Sequence, residues 1–457
     1  MSEQSIQLYD WQQGDVDFLK DLKAGGIWNE MGTGKTYEGA ELIRDGDKSL
    51  WVGPLTTLEG SINKMRQMGL NGDIVLLDRK NRNGSWNQFI RRPKGIFVAH
   101  WEALRLMPEL QGVSWDFVIA DEVHKAANRK AQQTRALKSI RKVGQKFGMS
   151  GTPVTGYPDK YWSPLNWLLP HQYRSYWKFY EQYVDYEIIY PQGFHKITGP
   201  KNEKELQAEV SKFSVRHLKD RPCCPAHPHG AMPWIPEKYY TEEVVELTPD
   251  QRRAYKQMKD EMLAWVGKQE DQPVVAPVVV AQMMRLQQFA MAYARMEDNH
   301  VLLSEPSSKL DKVMEILEDN PDERIVVWSQ FKQAIYLLRE RCQRAGIPIL
   351  LYTGDNRDTR DANVVSFASG VGRVFAGTIS AGGIGVDGLQ YGSSTVVFLD
   401  RLWSPALNTQ AEDRLHRDGQ TARVQVIDIM ARNTIDRGRH QMLELKWNWI
   451  KRLLGDA

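Results

Sequence analysis

Two sets of short, β-branched apolar runs constrain this chain more than any other feature. The first set covers 49–54, 73–78, 95–100, 116–121 and 146–151, and the second covers 324–330, 348–354, 372–378, 394–400 and 424–431. Strands with one wet face alternate apolar and polar residues. Nearly continuous apolar runs separated by helix-length amphipathic stretches are instead the pattern of parallel strands buried on both faces. The two sets therefore predict two α/β lobes, at 1–155 and 306–436. The intervening 156–305 has a different texture, dense in aromatics from Tyr157 to Tyr190 and then rich in Pro, Cys and His, so it reads as a helical insertion and linker. At 437–457, Leu443, Leu445, Trp447, Ile450 and Leu453 recur at mostly helical spacing, which predicts a packed terminal helix.

A length of 457 residues suits two or three domains, and 42% apolar with 26% charged residues is the composition of a globular chain with sizeable cores. The 60 basic and 57 acidic residues leave a formal charge of only +3, so any nucleic-acid affinity has to come from a local basic groove. Three cysteines cannot build a disulfide framework, which points to a reducing compartment. The polar start lacks the features of a secretion signal, and the longest apolar run, 273–281, is too short for a bilayer. These features predict a soluble intracellular protein, cytoplasmic or, in a eukaryote, nuclear, with no membrane contact.

The chemistry concentrates at Met31, Gly32, Thr33, Gly34, Lys35 and Thr36, ahead of a predicted helix. Glycines let backbone N–H groups close around phosphates, and a helix N-terminus favours their charge. Lys35 would reach the β- and γ-phosphates of ATP, and Thr36 would hold Mg²⁺. The first glycine of the full Walker pattern, five residues before Gly34, is missing. A second element follows the run at 116–121, where Asp121, Glu122, Val123 and His124 end a predicted strand. Asp121 is placed to bind Mg²⁺ through water and Glu122 to polarise the attacking water.

Asp-Glu-x-His after a strand, followed by Ser150, Gly151, Thr152 and Pro153, resembles the helicase-like ATPases of superfamily two. The flanks are more narrowly similar to the Swi/Snf group of DNA translocases. Leu8, Tyr9, Asp10, Trp11 and Gln12, then Gly14, Phe18 and Leu19, match that group's adenine-recognition segment, with Gln12 as the implied adenine reader. The stretch Asn29 to Thr36 resembles its "DEMGLGKT" phosphate loop, which accounts for the missing glycine, and Trp51 to Leu55 resembles its first DNA-contacting motif. Arg216, His217, Leu218 and Lys219 are similar to its "RRxK" element.

In the second lobe, Ser380 to Asp387 can bring backbone at Gly385 and the side chain of Asp387 close to ribose or phosphate. Asp387 stands where the group usually carries Asn. Gln410 to Gln420 matches the pattern "QAxxRxHRxGQ", and Leu399 to Pro405 the "DpxWNP" segment. The i, i+3 spacing puts Arg414 and Arg417 on one helical face, where either could stabilise a transferring γ-phosphoryl. The resemblance covers roughly 8–153 and 305–436 and implies RecA-like lobes, ATP and Mg²⁺ as cofactors, and tracking on double-stranded or branched DNA. A DNA-bound protein partner and a monomeric state fit the same resemblance. A strand-separating DNA or RNA helicase and an ATP-switched DNA clamp remain as alternatives.

Three weaker signals remain. Cys223, Cys224, His227 and His229 could ligate a metal, but their spacing fits no common zinc site and a Pro-rich loop is the better reading. The aromatics between Tyr157 and Tyr180 could stack on bases, though core packing fits them better. Arg91, Arg92 and Lys94 form a small basic run that suits phosphate contact and a solvated turn equally.

Overall fold

The computed structural model describes residues 6–44, 48–70, 72, 74–77, 94–190, 193–222, 226–267, 276–298, 300–356, 358–383 and 386–456. The chain divides into two compact units. The first comprises Met1–Ile189, Gly193–Trp234 and Lys446–Ala457, and the second Tyr190–Gln192 and Ile235–Leu445.

Among the described residues, six strands run through the first part of the chain: β1 (Ala24–Ile27), β2 (Lys48–Gly53), β3 (Ile74–Leu77), β4 (Gly95–His100), β5 (Trp115–Asp121) and β6 (Val143–Met149). After a hairpin of β7 (Val184–Ile189) and β8 (Phe194–Pro200) comes the short β9 (Ser214–Val215). The first unit's sheet has the order β3-β4-β2-β5-β6-β1-β9, and every pairing in it is parallel. Its central strands are mostly apolar over their buried stretches because both faces are covered there. Leu50 and Val52 enter one core while Trp51 between them enters the other, and Val118 and Ala120 likewise flank Ile119.

The second unit repeats the plan. Its strands are β10 (Lys238–Val245), the hairpin β11 (Tyr293–Glu297) and β12 (His300–Ser304), then β13 (Ile325–Ser329), β14 (Ile349–Tyr352), β15 (Val374–Thr378), β16 (Thr395–Phe398) and β17 (Val424–Ala431). The sheet order is β10-β17-β16-β13-β15-β14, again parallel throughout. Ile325 and Val327 face one core and Val326 and Trp328 the other. Two α/β lobes, each built on a parallel sheet, are thus present, and all ten apolar runs of the sequence fall on strands.

The stretch 156–305 differs from a free-standing helical insertion. Its helices Trp162–Leu168, Tyr176–Tyr183, Glu203–Val210, Pro249–Gly267 and Ala276–Met291 are joined by six strands, β7 to β12. Within this stretch the residues up to Trp234, apart from Tyr190–Gln192, belong to the first unit and those from Ile235 onward to the second. The reason is edge pairing: β9 extends the first sheet beside β1, and β10 extends the second beside β17. The aromatics of this stretch are mostly core, with Tyr161, Trp162, Trp167, Tyr173, Phe179 and Tyr180 buried and Trp177 exposed. The last helix, Ile435–Leu454, buries Leu443, Trp449, Ile450 and Leu453 and leaves Leu445 exposed. No helix among the described residues is long and apolar enough to cross a membrane.

Candidate nucleotide site

Three adjacent strands of the first sheet, β5, β6 and β1, bring the conspicuous residues together. The register sets Asp121 beside Met149 and Met149 beside Ile27, so all three strands end level. Ligand sites in parallel α/β sheets lie beyond such carboxyl ends. Two residues past Ile27 the chain enters 29–36, and Ser150 follows directly on β6.

Gly34 is the N-cap of the helix Lys35–Leu42 with φ at 85°, a left-handed conformation that favours glycine. A Cβ there would also lie 2.7 Å from the Gln12 amide nitrogen, which would have to shift. Gln12 is buried; its amide donates to the Thr33 carbonyl (2.9 Å) and its oxygen accepts from the Tyr9 N–H (3.0 Å). The Lys35 ammonium curls onto the loop, donating to the carbonyls of Asn29 (2.8 Å) and Glu30 (2.7 Å). Burial depresses the Lys35 pKa to about 8, against the pull of Glu122, Glu38 and Asp121. Glycine backbone, an ammonium and a helix N-terminus converge there, so the residues present fit a triphosphate.

Behind the loop lies a polar cluster that the sequence did not reveal. The fully buried Asn29 donates to Asp15 (2.8 Å) and Glu38 (2.9 Å), while its oxygen accepts from the His217 N–H (2.7 Å). His217 also meets Asp15 through Nε2 (2.9 Å). Burial and the nearby Asp15 raise the Glu38 pKa well above the ordinary carboxyl range, against the pull of Lys35 and the Asn29 hydrogen bond. Asn29 and His217 fall in segments that the resemblance picks out, but their meeting with Asp15 and Glu38 exists only once the segments around 15–38 and 217 are folded together.

The acidic motif leaves β5 through a strained turn, with Glu122 at φ 52° in the left-handed region. Its carboxylate lies 3.1 Å from His124 Nδ1 and accepts from the Ser150 hydroxyl (3.3 Å), and His124 and Ser150 are 3.0 Å apart. Ser150 thereby ties the end of β6 to Glu122. At the next residue, a Cβ on Gly151 would sit 2.6 Å from Met31, so this segment packs directly on the phosphate loop.

Burial first, then the neighbouring Glu122, raises the Asp121 pKa to about 7, with Lys35 pulling the other way. Its folded-state value thus lies above the ordinary 3.8. The stability that comes from protonating Asp121 is present at low pH and is lost as pH climbs through about 7. In magnesium-free buffer the melting temperature of the wild type should therefore fall relative to Asp121→Asn between about pH 4 and about pH 8. Parallel melting curves for the two proteins across that range would remove the buried acid from this account.

In the second unit, Arg414 donates to the carbonyls of Gly383 (3.0 Å) and Val386 (2.8 Å). Arg417 pairs with both carboxylate oxygens of Asp387 at 3.2 Å. The two arginines and the glycine-rich segment after β15 are therefore one structure. Gly385 lies outside the described residues. Arg414 and Arg417 lie in the turns that follow the helix Pro405–Glu412, not on the shared helical face their spacing predicts, because the helix ends at Glu412. That helix is pinned by buried charge: Arg401 holds Glu412 and Asp428 at 2.5 Å, and Lys238 of β10 holds Glu412 at 2.9 Å. Burial alone would raise the Glu412 pKa, but Lys238 and Arg401 hold it down to about 2.

Residues 12–343 match the SNF2-related domain, and 308–419 match the helicase conserved C-terminal domain. The chain belongs to the SNF2-related family. Among similar proteins, a putative ATP-dependent helicase/translocase of Bacillus subtilis is 25% identical over 79% of this chain and 40% of its own length. An ISWI chromatin-remodeling complex ATPase of Arabidopsis thaliana is 24% identical over 94% of this chain and 41% of its own. A probable global transactivator of Orgyia pseudotsugata multicapsid polyhedrosis virus is 25% identical over 94% and 86%. The chain thus spans about two fifths of the bacterial and plant proteins. The Sulfolobus solfataricus SWI2/SNF2 ATPase core, solved in complex with dsDNA, is 19% identical and aligns over 99% of this chain and 94% of that one, with a TM-score of 0.44.

Within this SNF2-related chain, the structure gathers Gln12, the loop from Met31 to Thr36, Asp121 and Glu122 in one unit, and Asp387, Arg414 and Arg417 in the other. Of Trp51 to Leu55, only Leu55 is strongly exposed, at 64%. Arg91 and Arg92 lie outside the described residues, as do Cys223 and Cys224. Among the described residues no group of three or more His, Cys, Asp or Glu side chains could hold a metal.

Proposed function

We propose that this SNF2-related chain is an ATP-driven motor that tracks along double-stranded DNA. The observation that carries the reading is the meeting of the phosphate loop, Asp121 and Glu122 at the ends of three adjacent strands. A second unit that locks an arginine pair onto a glycine-rich segment supports it.

In this reading the glycine backbone and Lys35 bind the β- and γ-phosphates, and Gln12 reads the adenine edge. Thr36 and Asp121 are the residues that would hold Mg²⁺, which when bound neutralises phosphate charge. Glu122, oriented by His124 and Ser150, takes the proton of the attacking water. Arg414 or Arg417 supplies positive charge for the transferring phosphoryl group, and alternate closing and opening of the lobes around ATP turns hydrolysis into steps. Contacts to the DNA are to phosphates, so base sequence matters little. Branched DNA and DNA-bound proteins are the objects such a stepping monomer would remodel. The bacterial relative named as a helicase/translocase and the plant chromatin-remodelling ATPase support this substrate class.

ATPase rates with duplex, single-stranded and forked DNA and with RNA as separate activators test the proposal. Duplex should activate most, little affected by sequence and losing strength steeply as salt rises. A triplex-forming third strand should be displaced in an ATP-dependent manner, while a plain fork stays closed under matched conditions. Fork opening without triplex displacement would favour a strand-separating helicase. ATP-dependent DNA retention without displacement of either substrate would favour a clamp.

A further inference from the structure

Arg216 follows β9, and oxygen atoms surround its guanidinium. Nη1 donates to the carbonyls of Trp28 and Gly151, the latter at 3.3 Å. Nε and Nη2 grip the two carboxylate oxygens of Asp456, Nε at 2.6 Å. The two side chains are only 15% and 5% exposed. Trp28 is the residue between β1 and the loop at 29–36, and Gly151 packs against Met31, so one guanidinium joins both backbone segments that frame the loop. The same stretch lies along the loop's approach. Glu30 N–H donates to the His217 carbonyl (2.9 Å), and Lys219 N–H donates to the Glu30 carboxylate (2.8 Å).

Asp456 is delivered by the end of the last helix. Trp449, Ile450 and Leu453 are buried in the first unit, Gln207 donates to the Arg452 carbonyl (2.5 Å), and the Asp456 N–H donates to the Lys451 carbonyl (2.9 Å). A residue near the end of the sequence thus reaches the entrance of a loop near its start.

We propose that Arg216 and Asp456 are a positioning pair that sets the phosphate loop, so that the 446–456 segment tunes the affinity of the site for ATP. The proposal rests on the reading of that loop as an ATP site. The physical argument is the cost of an unpaired buried charge. Without Asp456 the guanidinium loses its bidentate partner in a poorly solvated place and must move toward water. Moving withdraws a charged donor from two backbone carbonyls at once. Gly151 has no slack against Met31, so its displacement passes to the loop. Lysine could supply the charge at 216 but not the planar fork that reaches carbonyls and carboxylate together.

The test uses the whole chain and the variants Asp456→Asn, Asp456→Glu and Arg216→Lys, at a temperature where each is folded by thermal melt. Binding of a fluorescent ATP analogue should weaken about tenfold in Asp456→Asn, with KM for ATP rising in parallel and kcat falling less than about threefold. Asp456→Glu should restore binding to within about threefold of wild type. If Asp456→Asn does not fold, Arg216→Lys takes its place with the same expectation. A lowered melting temperature with unchanged affinity and KM would make the pair a structural staple and overturn the proposal. Wild-type protein that fails to bind the analogue would overturn the ATP-site reading itself, and this inference with it.

Discussion

Glu122→Gln should bind ATP about as well as the wild type and hydrolyse it at least about a hundredfold more slowly. The geometry argues for a selective loss. The amide is nearly isosteric with the carboxylate, so the Ser150 hydroxyl can still donate to its oxygen, and Lys35 and the glycine backbone are untouched. What disappears is the ability to accept a proton. A hundredfold loss corresponds to about 2.7 kcal/mol of transition-state stabilisation, within the range of a single positioned base. Single-turnover hydrolysis alongside analogue binding separates the effects. Wild-type-like turnover would remove the water-activating role from Glu122. Lost binding would place the residue in the loop's architecture instead, through the like charge it presents to Asp121.

The legibility of this chain follows from what kinds of force leave a local trace. Two-sided burial of a parallel strand leaves a continuous apolar run, and all the long central strands could be read in that way. β1 could not, because Ala24, Gly25, Gly26 and Ile27 offer little bulk. The structure gives the reason: a Cβ at Gly25 would lie 2.6 Å from Leu19, so neighbours fill the space that β1's own side chains would occupy. β10 was hidden for the opposite reason, since its mixed polar residues reflect an edge position with several side chains exposed. The phosphate loop and the acidic pair were legible because phosphate and water chemistry need particular residue types at fixed local spacing. The buried cluster of Asp15, Asn29, Glu38 and His217 and the Arg216–Asp456 pair were not, because their geometry exists only after distant segments meet. The domain boundaries blurred for the same reason. A two-residue strand such as β9 reassigns a whole segment to a lobe without any change in composition.

The second large effect concerns the arginines, and the structure separates two residues that sequence left equivalent. Arg414 spends its donors on the carbonyls of Gly383 and Val386, so it holds the backbone of the glycine-rich segment in place. Arg417 is held by the Asp387 side chain, which is 51% exposed. Solvent screens the half-exposed Asp387 carboxylate, so Arg417, itself 15% exposed, can exchange it for a more negative partner. A γ-phosphoryl group gathering charge in the transition state is such a partner. Arg417→Ala should therefore lower kcat at least about a hundredfold, with ATP affinity and melting temperature close to wild type. Arg414→Ala should lower the melting temperature as well, because two backbone carbonyls lose a charged donor. Asp387→Ala, which frees Arg417 without removing it, should leave kcat within about tenfold of wild type. The set discriminates between assignments. A collapse of kcat confined to Arg414→Ala would transfer the catalytic role to that residue, and near-normal kcat in both arginine variants would show that the second lobe does not complete the ATP site.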